Sequence, residues 1–195
     1  MSIPTDEHAS RFFAPLRGSL TILLLHDPRA KLPLGRFLLG CASLKPMNTT
    51  VLDADAFYCS NMDSFADYIQ SIPKGEALLL PEREFEVNSL LPLLSSKREL
   101  LIIDDLNSIY SLASDGRRSQ QLTIFMRLLS HNARMNGSWV IATAYRPELG
   151  QKQGAANPRS LTTLGDLLVD TDYQSGSFKL RAGFKGHWPN GEFNL

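Results

Sequence analysis

Glu99-Leu100-Leu101-Ile102-Ile103-Asp104-Asp105 decides the fold. Bulky apolar residues from Leu100 to Ile103 run directly into two carboxylates. A continuous apolar run of this length reads as a strand covered on both faces, with polar groups delivered at its carboxyl end. In nucleotide-hydrolysing α/β proteins an aspartate in this place holds the magnesium of a bound triphosphate. Its usual companion is G-x-x-x-x-G-K-[ST], whose backbone amides and lysine cradle the phosphates. No glycine of this chain is followed by lysine. The pattern is that of a phosphate-handling fold without its phosphate grip.

Working outward, similar apolar runs recur between helical patterns. Residues 20–25 read as the first central strand and residues 26–33 as a loop, marked by Asp27-Pro28 and Leu32-Pro33. Residues 34–44 read as a helix with Leu34, Phe37, Leu38 and Cys41 on one face. A strand at 50–54, a helix at 64–72, a strand at 77–80 and a helix at 87–94 precede the decisive strand at 100–103. Residues 119–136 form the longest helical pattern, with Leu122, Phe125, Met126, Leu129 and Ala133 as its buried stripe and Gly137 as its stop. Strands follow at 139–143, 167–169, 178–181 and 192–195. Strands alternating with helices imply an α/β fold: a mostly parallel sheet with helices on both faces, closed by a C-terminal antiparallel edge hairpin. Residues 1–15 read as an N-terminal arm and residues 16–195 as a single domain, a size that supports one sizeable core.

Composition narrows the function classes. Twenty Lys+Arg balance twenty Asp+Glu, which excludes a protein that coats nucleic acid by bulk charge but leaves room for a local basic patch. Cys41 and Cys59 are read as buried thiols in a reducing compartment, with no second pair to complete a metal site. The polar start is no secretory signal, and no apolar run approaches a membrane span. The expected setting is cytoplasmic, or nuclear in a eukaryote.

Ligands of open α/β sheets bind beyond the carboxyl ends of the strands. There the turn after the first strand should hold phosphate. On the phosphate-loop pattern, Gly35-Arg36-Phe37 falls where Gly-Lys-Thr would stand. Pro33 removes a backbone donor, Phe37 offers no hydroxyl to magnesium, and Asp27 adds negative charge. Asp104 and Asp105 are then read as strand-end caps rather than metal ligands, and Asp53 and Asp55 as a solvated loop. Gly35, Arg36, Asp55, Asp104 and Asp105 together make a degenerate nucleotide site; no catalytic residue, metal or cofactor is expected.

Residues 99–195 resemble the RecA/RadA recombinase superfamily, as a paralogue of the archaeal and eukaryotic strand-exchange proteins. The resemblance rests on Leu101-Ile102-Ile103-Asp104-Asp105-Leu106, on Ser114-Asp115-Gly116-Arg117-Arg118-Ser119-Gln120-Gln121, on Trp139-Val140-Ile141-Ala142-Thr143, and on the closing stretch from Phe184 to Phe193. It implies a RecA-like core in which Asp55 stands at the catalytic glutamate position, one methylene shorter. It also implies DNA-binding loops, at 111–119 with Arg117 and Arg118, and at 145–160 with Tyr145, Arg146, Lys152 and Arg159. Cations among polar neighbours suit phosphate contacts, and Tyr145 could stack on a base, which favours single-stranded DNA. Phe12-Phe13-Ala14 only approaches the family's Phe-x-x-Ala assembly motif, so Phe12 and Phe13 are the candidate partner contacts. The function this implies is a non-catalytic paralogue that binds a RecA-fold partner, as homo- or hetero-oligomer, and DNA, in recombination and repair. The alternatives are a subunit of an Elongator-like, RNA-binding assembly, or a weak KaiC- or RadA-like ATPase using Arg36.

Overall fold

The computed structural model describes residues 4–45, 47–71, 76–79, 86–95, 98–113, 115–145, 164–174, 177–182 and 191–194. Among them, eight strands form one sheet: β1 (Ser19–Leu25), β2 (Thr49–Asp53), β3 (Glu76–Leu79), β4 (Leu100–Asp104), β5 (Trp139–Tyr145), β6 (Leu167–Gln174), β7 (Ser177–Ala182) and β8 (Gly191–Asn194), in the order β3-β2-β4-β5-β1-β6-β7-β8. Pairings from β3 across to β6 are parallel. β6, β7 and β8 pair antiparallel. The sheet is thus mostly parallel with an antiparallel C-terminal edge, as the sequence predicts.

Helices α1 (Asp6–Phe13), α2 (Lys31–Leu44), α3 (Phe57–Ser60), α4 (Met62–Ser71), α5 (Pro92–Ser95), α6 (Leu106–Leu112) and α7 (Gly116–Asn136) cover both faces. Successive side chains of a strand point to opposite faces. Leu23, Leu25, Val51, Leu100, Ile102 and Ile141 face one core with α1, α2 and Phe65 of α4. Their neighbours Ile22, Leu24, Leu52, Leu101, Ile103, Val140 and Ala142 face the other core with α6 and α7. This double burial is why the strands read as unbroken apolar runs.

Several elements depart from expectation: α3 and α6 are not expected from the sequence, and the segment 111–119, expected as a loop, holds the end of α6 and the first turn of α7. Residues 87–94 are a 3-10 turn (Val87–Leu90) followed by the short α5, not one helix. The segment read as an arm contains α1, begun by Thr5, whose hydroxyl accepts from the His8 amide. Phe12 and Phe13 are wholly buried. Phe12 meets Phe37 edge to face at 5.1 Å, and Phe13 meets Trp139 at 5.8 Å. The Trp139 indole donates to the Phe13 carbonyl at 2.7 Å. Aromatic pairs of this geometry add to simple area burial. Phe12 and Phe13 therefore hold α1 to the core and cannot serve as an exposed partner motif. Of the two thiols, Cys41 is buried, but Cys59 is exposed. Replacing Phe13 by Ala is expected to cost about 3 kcal/mol, measured by urea unfolding, as for other buried aromatics; a cost near zero would mean that α1 is not docked.

Candidate functional site

Strand parity assembles the site. Asp53 of β2 lies opposite Asp104 of β4 in register, and β5 continues alongside with Thr143. All three share parity with Val51, Ile102 and Ile141, which face the α2 side. The carboxyl edge of the sheet thus carries a polar row under the start of α2. The Thr143 hydroxyl donates to Asp104 Oδ1 at 3.0 Å and accepts the Asp105 amide at 2.9 Å.

Lys31, the first residue of α2, supplies the cation. Its Nζ lies 2.8 Å from Asp104 Oδ2 and 2.6 Å from Asp55 Oδ2, and only 6% of the side chain is exposed. The ammonium also sits 4.4 Å from the centre of the Phe57 ring. Burial works against the Lys31 charge, but Asp104 and Asp55 outweigh it and hold the ammonium above its ordinary range. Burial pushes the Asp104 carboxyl up to about 7, against the pull of Lys31 and the Thr143 hydrogen bond. Asp53 is fully buried. Its Oδ2 accepts the Cys59 amide at 2.9 Å, while Oδ1 has no hydrogen-bond partner among the described residues. Oxygens of Asp53, Asp55 and Asp104 lie within 4.8 Å of one another, a carboxylate set of the kind that holds a divalent ion. Lys31 already brings a positive charge to it.

The turn before α2 uses its own donors. The Arg29 amide donates to Asp27 Oδ1 at 2.8 Å, and the Ala30 amide to the Asp27 carbonyl at 2.9 Å. The Lys31 amide donates to the Pro28 carbonyl, and Pro28 has no amide hydrogen. The Arg29 guanidinium clamps Asp27 at 2.7 Å, which depresses the Asp27 carboxyl and raises Arg29. A phosphate cradle needs such amides aimed outward. Here the Arg29, Ala30 and Lys31 amides close the turn on itself instead.

The site differs from the one read in sequence. Lys31, not Arg36, stands at the head of α2. Counting back from it puts Leu25, Ala30 and Leu32 where the pattern has its two glycines and its hydroxyl. Gly35 lies a turn further on, where an added Cβ would come 3.1 Å from both the Tyr58 hydroxyl and the Phe65 ring. Arg36 donates to the Ser64 carbonyl at 3.2 Å. Both residues hold α2 to α3 and α4 rather than a ligand. The pair Gly35-Arg36 is what resembles Gly-Lys in the sequence, whereas Pro33 sits in the first turn of α2, where a missing amide costs little. Asp55 is no solvated bystander but a partner of Lys31. Asp105 caps α6: its carboxylate accepts from the Asn107 and Ser108 amides and the Ser108 hydroxyl, and it adopts φ +56°. Asp104, by contrast, is turned to Lys31. Sequence reading missed Lys31 and Thr143; strand parity would have found Thr143.

Of the candidate nucleic-acid contacts, three lie among the described residues, and Tyr145 is on the other face of the sheet from Arg117 and Arg118. Arg117 is exposed in the first turn of α7. Arg118 pairs with Glu86 at 3.1 Å and Asp115 at 3.2 Å. Tyr145 ends β5 on the other face, packed against the α2-side core, and burial raises its phenol to about 12. Its backbone is tied to Asn107, whose side chain accepts its amide at 2.9 Å and donates to its carbonyl at 3.3 Å. Arg146, Lys152 and Arg159 lie outside the described residues. No described helix is long and apolar enough to cross a membrane.

This architecture, with its acidic β4 end facing the head of the helix after β1, is RecA-like. Among solved structures, the chain is similar to the flagellar accessory protein FlaH from Methanocaldococcus jannaschii, with TM-score 0.62 and 13% identity over 98% of this chain and 93% of that one. It is also similar to a KaiC-like protein from Pyrococcus horikoshii OT3, with TM-score 0.61 and 12% identity over 90% of this chain and 84% of that one. The ATPase domain of G40P matches with TM-score 0.55 and 13% identity over 89% of this chain and 79% of that one. Likeness at these identities is likeness of fold. No protein-family model matches the sequence, and no curated protein does.

Two outcomes are expected of the ion cluster. Lys31→Met leaves neighbouring carboxylates without their cation and should cost about 3 kcal/mol in urea unfolding, as loss of one partner from a buried pair does. Millimolar Mn2+ should raise the melting temperature of this variant and not of the wild type. The second outcome concerns pH. Asp104 titrates at about 7 in the fold and at 3.8 ordinarily, so between these values the folded chain holds a proton that the unfolded chain has released. That stabilisation is present at the acidic end and is lost as pH rises through neutrality. The wild type should therefore lose stability between mildly acidic and mildly basic buffer, and Asp104→Asn should flatten that slope; equal slopes would contradict the assignment.

Proposed function

We propose that this protein is a non-catalytic RecA-like assembly subunit, which acts by binding a partner of similar fold rather than by hydrolysing nucleotide. The observation that carries the proposal is Lys31 closed between Asp55 and Asp104 beneath a turn whose amides are used internally. A lysine that neutralises the carboxylates is not presented to phosphate, and a turn that spends its Arg29, Ala30 and Lys31 amides internally has fewer donors with which to replace the hydration of a triphosphate. The likeness to RecA-like domains supports the assembly half of the proposal, because such a fold keeps its sheet and helix surfaces when its site is closed.

The specific role we favour is that of a recombinase-like paralogue assisting strand exchange or repair on single-stranded DNA. Arg117, exposed in the first turn of α7, supports it as a phosphate contact. An RNA-facing assembly subunit would use the same cation. Fluorescence anisotropy of the whole chain with labelled single-stranded DNA and with folded RNA separates the two. DNA binding that weakens as salt rises, and several-fold further in Arg117→Ala, is the expected result. Preference for folded RNA would assign the second role. Binding to neither, with no RecA-fold protein co-purifying from the native source, would overturn the proposal.

A further inference from the structure

We propose that the outward face of α7 is a docking surface for an acidic amphipathic helix of another protein. The helix buries Leu122, Phe125, Met126, Leu129 and Ala133 against the sheet. Its opposite side, otherwise polar as a covering helix ordinarily is, carries a line of exposed apolar residues. Ile124 is 59% exposed, Leu128 45% and Met135 71%. They fall on the line Arg117, Gln121, Ile124, Leu128, His131, Met135, whose steps alternate between four residues and three. That is the spacing of the inward positions of a two-helix coiled coil, filled here by apolar residues at three of the six. Over the residues from Arg117 to Met135 the seam runs about 27 Å at the helical rise of about 1.5 Å per residue, matching a partner helix of about five turns.

The charges beside the seam choose the partner. Gln120, Arg127 and Arg134 recur every seventh residue along one flank, the place from which coiled coils select partners by charge. All 21 residues of α7 include no Asp or Glu, although the chain as a whole balances 20 cations with 20 anions. Arg134 bonds Asp166 at 2.9 Å yet keeps its side chain 65% exposed. Leu91, 46% exposed, adds apolar surface on the turn between the 3-10 helix and α5, both of which pack on α7. A second copy of this chain would set arginines against arginines, which disfavours self-pairing. An anionic bilayer would take up a broad apolar face, whereas this seam is narrow and is interrupted by His131. A helix with leucines facing the seam and glutamates facing Arg127 and Arg134 satisfies both the apolar and the charged features.

The probe is a synthetic three-heptad peptide with leucine at its inward positions and glutamate at its flanks, compared with the same peptide carrying lysine at the flanks. Anisotropy with the whole protein should show the glutamate peptide binding at least tenfold more tightly. Leu128→Glu should remove that binding, Ile124→Gln should weaken it, and Arg127→Glu should move the preference toward the lysine peptide. Unfolding curves of all three should overlay the wild type, because the residues are exposed. Equal binding of both peptides, binding of neither, or binding indifferent to Leu128→Glu and Ile124→Gln overturns the proposal. So does self-association in sedimentation that Leu128→Glu abolishes, which would assign the face to a second copy, or sedimentation with phosphatidylserine vesicles lost in the same variant, which would assign it to lipid. The seam lies on the opposite side of the sheet from Lys31, so its failure leaves the account of the closed site standing.

Discussion

A buried ammonium must have its carboxylates, and that requirement organises the working edge of this protein. Lys31 is nearly enclosed, and Asp104 and Asp55, within hydrogen-bonding distance, outweigh what burial costs its charge. Their placement in turn requires β2 and β4 to be in register, α2 to begin directly after the turn that leaves β1, and the loop after β2 to fold back over the edge. Ala56 takes a left-handed backbone with φ +59° in that loop, which brings Asp55 and Phe57 against the lysine. The strain of a non-glycine residue there is offset by the contacts it makes possible. The cluster is electrostatic in origin and structural in effect.

The same arrangement separates this edge from one that grips phosphate. A phosphate loop keeps its amides and its lysine free for the ligand. Here Asp27 takes the Arg29 amide, Pro28 brings none, and the lysine has been drawn to the sheet. The polar row of Asp53, Asp104 and Thr143 survives as a scaffold for that lysine. On the far side of the sheet, α7 combines a firm inner face with an outer one that is apolar and cationic. The two faces divide the labour: one is closed chemistry, the other an open surface.

The central strands β1, β4 and β5 were legible because they are buried on both sides and so read as apolar runs; boundaries from 100–103 and 139–143 needed only slight extension at their ends. Helix α7 was legible from its stripe and from Gly137, which closes it at φ +65°. The start of α2 was not. Pro33 looks like a helix breaker unless the first turn is known to begin at Lys31, and Gly35-Arg36, which resembles Gly-Lys, points to Arg36 rather than Lys31 as the phosphate contact. Nor was α1 legible, since two phenylalanines near a chain end look the same whether they seek a partner or their own core. Asp104 and Asp105 looked equivalent in sequence; the turn at Asp105 sends one carboxylate to cap α6 and leaves the other facing Lys31. Alternation along β2, β4 and β5 did contain the grouping of Asp53, Asp104 and Thr143, but only strand order shows that those three strands are neighbours.

The most direct measurement is calorimetric titration of the intact protein with ATP and magnesium at neutral pH, beside the variants Lys31→Ala and Asp104→Asn. The closed ion cluster and the self-satisfied turn predict no binding heat up to millimolar nucleotide in any of the three. Micromolar binding by the wild type, abolished by either substitution, would show that Lys31 leaves Asp104 for a phosphate and would contradict the account.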